Sequence, residues 1–345
     1  MGRLRIGPSR VAVWPLAIVV NALLATSASA HVKWFCAFDV AGQPRGLENV
    51  LCPDFEILTG LSVLALMSGC LMEGTPVGLA MIRSIDRATQ FLRDNTEMLF
   101  RAGAAFFFIS IWAVGGILLT PELKTSSPAI GALHLAIAAG MLSRRTMPLS
   151  AAGIAIIFGI AVWEYGIFHL ADYPVFLGVA AYLALTGLRR DLFGVRAIDV
   201  VRYSAGITLM WASIEKWAYP EWSFPLLAQH KGMTLGFDPE FFMRAAGAIE
   251  FALAFSLMWT PLVRRIGAIM LAGMFVSAVA EFGKVDLIGH TLIIVVLAAI
   301  VADNGGEAAL VRRPWLAPLA YGASVGVFLL AYYVGHTALF GTAML

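Results

Sequence analysis

A chain of 345 residues that is 60% hydrophobic and only 13% charged, with a mean hydropathy of +0.82, lies well outside the composition of a water-soluble domain. Its formal net charge of +2 is spread along the chain, with no Lys/Arg-rich run and no basic face interleaved with aromatics, so nucleic-acid binding has no support. The composition is that of an integral membrane protein, and the lack of strand alternation argues against a barrel.

In chain order, residues 1–30 come first. Arg3, Arg5 and Arg10 precede the apolar run "VAVWPLAIVVNALLA", and Ala28-Ser29-Ala30 has the small-x-small form of a signal-peptidase site. Two readings stay open, a cleaved signal peptide and a retained first transmembrane helix. Cleavage would make His31 the N-terminus, where amine and imidazole together form a copper chelate. In the outer segment that follows, Cys36 and Cys52 are candidates for a disulfide, whereas Cys70 reads as a small buried residue.

Apolar runs of membrane-crossing length then predict helices near 54–73, 98–120, 128–143, 148–169, 174–188, 199–218, 240–260, 263–281, 287–302 and 316–340, ten or eleven spans with the leader. Paired arginines at 144–145, 189–190, 264–265 and 312–313, with Arg83, Arg87 and Arg93, fall at alternate connections. The positive-inside rule assigns those loops to the cytoplasm and puts the C-terminus outside, which is the periplasm if the membrane is the bacterial inner membrane.

The middle of the chain matches itself. "GALHLAIAAGML" from Gly131 aligns with "GAIEFALAFSLM" from Gly247, each followed by two arginines. "EYG" at Glu164 aligns with "EFG" at Glu281, and Arg101 with Pro121-Glu122 parallels Arg202 with Pro220-Glu221. The expected fold is an all-α polytopic bundle. A first part, 31–97, supplies an outer loop, one span and an amphipathic cytoplasmic segment. Two tandem four-helix repeats follow at 98–188 and 199–302, and 303–345 holds a last span.

An ionisable residue at the centre of a span costs roughly 2.5–3.5 kcal/mol, so each one kept there is a functional candidate. Glu250 lies mid-span, and the repeat puts His134 at the equivalent position. Glu215 and Lys216 are adjacent, point about 100° apart, and must each find a partner on another helix. Glu281 and Lys284 are spaced to pair with each other, Asp286 is placed to cap the next helix, and His290 follows within its first two turns. Glu221, His230, Asp172 and Lys231 read as solvated interfacial groups, and the tryptophans at 163, 211, 217 and 222 as an outer aromatic belt.

The stretch with Arg202, "ASIEKWAYPEW", "MRAAGAIEFAL", Arg264-Arg265 and "GKVDLIGH" resembles the DoxX family of bacterial membrane proteins over 197–303, with a diverged copy at about 98–188. The family's characteristic positions fall on Arg202, Lys216, Pro220, Gly247, Glu250, Gly289 and His290. The resemblance implies a redox- or quinone-associated inner-membrane subunit that docks soluble redox partners on its outer face. The duplication and the extra leading and trailing segments depart from the family pattern. On this expectation Glu250, Glu215, Lys216, Glu281, Lys284, His290 and His134 form an intramembrane polar site, in which Glu250, His134 and His290 bind or protonate a quinone. The alternatives are a proton-coupled solute transporter, a periplasmic copper-handling protein using His31, and a membrane scaffold without chemistry.

Overall fold

The computed structural model describes residues 32–191, 194–305 and 315–342. His31, Arg312, Arg313 and the leader lie outside the described residues. Two short helices, α1 (Val32–Phe35) and α2 (Leu47–Val50), precede the long α3 (Pro53–Glu73). Next come α4 (Pro76–Ala88), α5 (Gln90–Asp94), α6 (Thr96–Val114), α7 (Pro128–Gly140), α8 (Met147–Tyr165), the one-turn α9 (Ile167–Leu170) and α10 (Pro174–Leu188). The remainder is α11 (Ala197–Ala218), the short α12 (Phe224–Gln229), α13 (Pro239–Ser256), α14 (Pro261–Phe282), α15 (Lys284–Ala302) and α16 (Leu316–Phe340).

Helices thus stand at all ten apolar runs expected downstream of residue 31. Six of them, α3, α6, α8, α14, α15 and α16, are long and apolar enough to cross a bilayer. The apolar α7 and α10 are shorter, at 13 and 15 residues. α11 has the length, 22 residues, but carries Asp199, Arg202, Glu215 and Lys216. Bulky apolar side chains on α3, among them Ile57, Leu61, Leu64 and Leu71, point away from the protein, as a lipid-facing surface requires. The chain is a multi-pass helical membrane protein.

Helix order in space follows helix order in the chain. α6, α7, α8 and α10 pack in succession as one four-helix set, and α11, α13, α14 and α15 as another. α10 lies against α11, and α15 against α6, so the sets share two seams. α3 and α16 brace the second set from outside. Lipid is as apolar as leucine, so close packing holds such helices together rather than escape from water. The first set shows this in Phe100 stacked on Tyr182 at 3.9 Å and in Phe107 against Phe176 at 5.7 Å.

Two glycines set the corners. α8 ends at Gly166 (φ +84°) and α14 at Gly283 (φ +76°), both in backbone regions that a side chain disfavours, and each is followed at once by a new helix. These are the glycines of "EYG" and "EFG".

The expected span 98–120 is corrected. α6 stops at Val114, because Gly115 and Gly116 both take positive φ. Residues 117–124 instead turn back as a tight hairpin with an isolated bridge between Ile117 and Lys124, burying Ile117, Leu118, Leu119 and Leu123. The aromatic belt is corrected at Trp217, which is a core residue packed between Phe55 and Phe251, while Trp163 is fully lipid- or solvent-facing. Cys36, Cys52 and Cys70 all carry free thiols. The expected Cys36–Cys52 bridge is not formed: Cys36 packs beside Leu226 and Phe282, and Cys52 caps α3 against the main core.

The two ends of the molecule differ in charge. At one end Arg264 and Arg265 are almost wholly buried and bind the Asp303 carbonyl at the end of α15, with Arg265 also 2.8 Å from Asp86. Arg196 forms a two-pronged pair with Asp303 and another with Asp199. At the other end lie the carboxylates of the candidate site. There the loop after α1 is tied down by Tyr219 donating to the Gly42 carbonyl (2.6 Å), Tyr333 donating to the Arg45 carbonyl (2.6 Å) and Arg45 paired with Glu240 (2.7 Å).

Candidate functional site

The second four-helix set surrounds a cavity of about 620 Å³, a volume typical of small-molecule sites. Its walls are largely apolar, with Leu209, Leu271, Phe275 and Ile293 prominent. Into it converge Lys33 from α1, Asp172 from the α9–α10 turn, Glu215 and Lys216 from α11, Glu250 from α13, Glu281 from α14, and Asp286 with His290 from α15.

At the end of the cavity that α1 covers, Lys33 is buried and donates to Asp172 and to Glu215, whose carboxylate oxygens lie 2.6–2.7 Å from its Nζ. Burial disfavours its charge, but Asp172 and Glu215 outweigh that and raise the Lys33 pKa above the ordinary lysine value. The rings of Phe38 and Trp222 each stand 5.8 Å from the same ammonium. The carboxylate network continues into the first set. Tyr173 donates to Glu122 at close range and Thr120 donates to the same oxygen at 2.8 Å, yet burial still pushes the Glu122 pKa up. Burial, and then the Glu122 charge, push the Tyr173 hydroxyl well up. Asp172 Oδ1 and Glu122 Oε2 are buried without a hydrogen-bond partner among the described residues.

Deeper in the cavity Lys216 Nζ meets Glu250 Oε2 at 2.5 Å, joining α11 to α13. Glu215 and Lys216 therefore do take separate partners on other segments, as their helical angle requires.

On the α15 side, Asp286 is fully buried and accepts or shares the proton of His290 Nδ1 at 2.9 Å, one helical turn away. Trp34 and Phe275 flank the imidazole, with ring centroids 5.0 and 4.6 Å from it. A side chain on Gly289 would collide with Trp34, since an added Cβ would lie 2.0 Å from the indole. α1 thus covers the cavity with two neighbouring residues, Lys33 reaching toward α11 and Trp34 lying on α15.

Other expected arrangements change. Asp286 does not cap α15, which begins after Gly283; it lies inside the first turn and serves His290. Glu281 pairs with His230 at 2.7 Å rather than with Lys284, which is exposed and does not line the cavity. His134 is buried in the first set, donates from Nε2 to the Leu118 carbonyl (2.9 Å), and is not part of the cavity. The reason is packing, because the aromatic residues of α6 fill the space around His134 that stays open around Glu250 in the second set. Among the described residues no group of three His, Cys, Asp or Glu side chains is placed to hold a metal ion. The copper reading rests on His31, outside them.

No protein-family model, curated protein or solved structure matches this chain. No family model supports the DoxX resemblance, and function has to be argued from the cavity.

Three residues of the site escaped the sequence. Asp172, expected to be solvated, is 5% exposed and ion-paired; Lys33 and Glu122 look like loop residues. A count of charges carried a signal. Glu215 and Glu250 share one intramembrane base, Lys216, so a second base had to come from an outer segment, where Lys33, Arg45, Lys124, Lys231 and Lys284 were the available choices.

Proposed function

We propose that this protein is a carrier that binds a small, partly apolar solute in the cavity of the second helix set and exchanges protons as the solute comes and goes. One observation carries the reading. Four buried carboxylates, Asp172, Glu215, Glu250 and Asp286, line an apolar cavity whose basic side chains, among the described residues, are two lysines, Lys33 and Lys216, and the imidazole of His290. Unbalanced carboxylates away from water are costly, so such a site must take up a proton or a cationic group, and alternation between the two is the elementary step of proton-coupled transport.

Further features agree with this. The arginines gather at the end opposite the cavity mouth, which supports an outward-facing mouth under the positive-inside rule. The common packing order of the two sets, and the glycine corners at 166 and 283, support reading 98–188 and 199–302 as tandem repeats of parallel topology.

The test is flux. Purified protein is reconstituted in vesicles under a proton gradient, internal pH is followed, and small solutes are added in turn. The expected result is a solute that dissipates the gradient with wild-type protein and fails to do so with Glu250→Gln. If every solute leaves the gradient unchanged, the carrier reading is wrong.

The His290–Asp286 pair favours a second reading, the quinone-associated subunit that the DoxX resemblance implies. A carboxylate-held imidazole between two aromatic rings suits a quinone carbonyl. Reduction to the quinol would consume two protons from the cavity groups and two electrons from a soluble redox partner. Fluorescence quenching of the cavity tryptophans by a short-chain quinone, lost in His290→Leu, would favour it over the carrier.

A further inference from the structure

Lys33 is held unlike the other cation in the cavity. Lys216 and Glu250 both sit on long helices of the second set, whereas Lys33 arrives on a four-residue helix at the edge of the structure. Its ammonium is nonetheless the better coordinated. Two buried carboxylates from different segments converge on one nitrogen, and two aromatic rings stand over it. Carboxylates that accept N–H bonds, with ring faces that attract positive charge, are the elements of a receptor for an alkylammonium group. Asp172 Oδ1, buried beside the ammonium, still lacks a donor. A primary ammonium has three N–H bonds to place. The adjoining cavity has room and apolar walls for a carbon chain behind that group.

We infer that the end of the cavity that α1 covers is a binding site for a protonated primary amine, and that Lys33 fills it as a tethered stand-in when no ligand is present. This rests on the carrier reading and names its substrate class. Lys33 keeps Asp172 and Glu215 paired in the empty protein. An incoming amine replaces it ion for ion, so Asp172 and Glu215 are never left without a cation between them, and α1 with Trp34 lifts from Gly289 as Lys33 leaves.

The probe is hexylammonium, with hexanol as its neutral match, on the full chain in nanodiscs. In the wild-type protein, backbone hydrogen exchange in α1 (Val32–Phe35), read by mass spectrometry, should rise several-fold with hexylammonium and not with hexanol. Lys33→Met should bind hexylammonium at least about tenfold more tightly than wild type, read by Trp222 fluorescence. If Lys33→Met is too unstable to purify alone, hexylammonium should restore it during purification, and adding Asp172→Asn should abolish that rescue. Unchanged exchange in α1 at a hexylammonium concentration that occupies the cavity overturns the inference, as does an equal response to hexanol. Amine binding without proton movement would leave this site standing and remove the carrier. Proton-coupled flux of another solute without release of Lys33 would do the reverse.

Discussion

Lys216 and Glu250 are joined across α11 and α13 by a 2.5 Å contact, with the glutamate almost wholly buried and the lysine keeping 24% of its side-chain exposure. Glu250→Gln strands the lysine. The expected loss in detergent-solubilised stability is about 2 kcal/mol, below that of a fully enclosed pair because Lys216 still touches the cavity. The double variant Lys216→Met/Glu250→Leu should recover most of the loss, since both charges go together, while proton-linked uptake stays absent. Thermal unfolding and vesicle flux, measured on both variants, check the two halves.

Gly289→Ala places a methyl group inside the Trp34 ring unless α1 moves. The cost expected is about 2 kcal/mol, as for overpacking a filled site. Trp34 emission should shift to the red, and the segment around α1 should become open to protease. Gly322→Ala, where an added Cβ meets nothing within 4 Å, should leave both readouts unchanged.

His169 lies outside the spans, boxed by the rings of Phe38, Tyr165 and Tyr173. Burial first, and then the Lys33 charge, lower its pKa from 6.5 to about 4, with Asp172 opposing. Between those two values the unfolded chain binds a proton that the folded one refuses, so stability is full above pH 6.5 and falls as pH drops toward 4. The loss at the bottom of that window is about 3 kcal/mol at most. His169→Gln should flatten the pH dependence of unfolding between pH 6.5 and 4, and an unchanged slope would assign it to other groups.

At the opposite end, Arg265 closes α15 through the Asp303 carbonyl and reaches Asp86 as well. Arg265→Leu should lower stability by about 2 kcal/mol, because the Asp303 carbonyl is left to Arg264 alone and Asp86 to Arg93 alone. Arg265→Lys should rescue little, lacking the fork that serves both acceptors. Chemical unfolding in mild detergent distinguishes the three proteins.

Where a property is local, the sequence carried it. The apolar runs located ten helices, and the prolines and glycines at their ends located most boundaries, since a missing N–H or a positive φ acts on its own residue. The run through 115–120 misled because hydropathy cannot tell a span from a buried hairpin, though Gly115-Gly116 marked the break. The site was legible as helix-borne charge at Glu215, Lys216, Glu250 and His290. It was not legible where partners come from distant loops, as with Asp172 and Lys33, or where packing density decides. His134 and Glu250 occupy matching places in the sequence, and only the aromatics of α6 leave one enclosed and the other on a cavity.

The reach of Lys33 along the chain also imposes an order of assembly. Its partner Glu215 lies 182 residues downstream, so at ribosomal speeds of about 5–20 residues per second the lysine waits roughly ten to forty seconds for its partner to be made. During that time α1 has only Asp172 of the first set to hold it, and only after that residue has been made. Closure of the ion cluster is therefore a late event in biogenesis, and docking of the N-terminal segment can serve the cell as a sign that the second set has been threaded correctly.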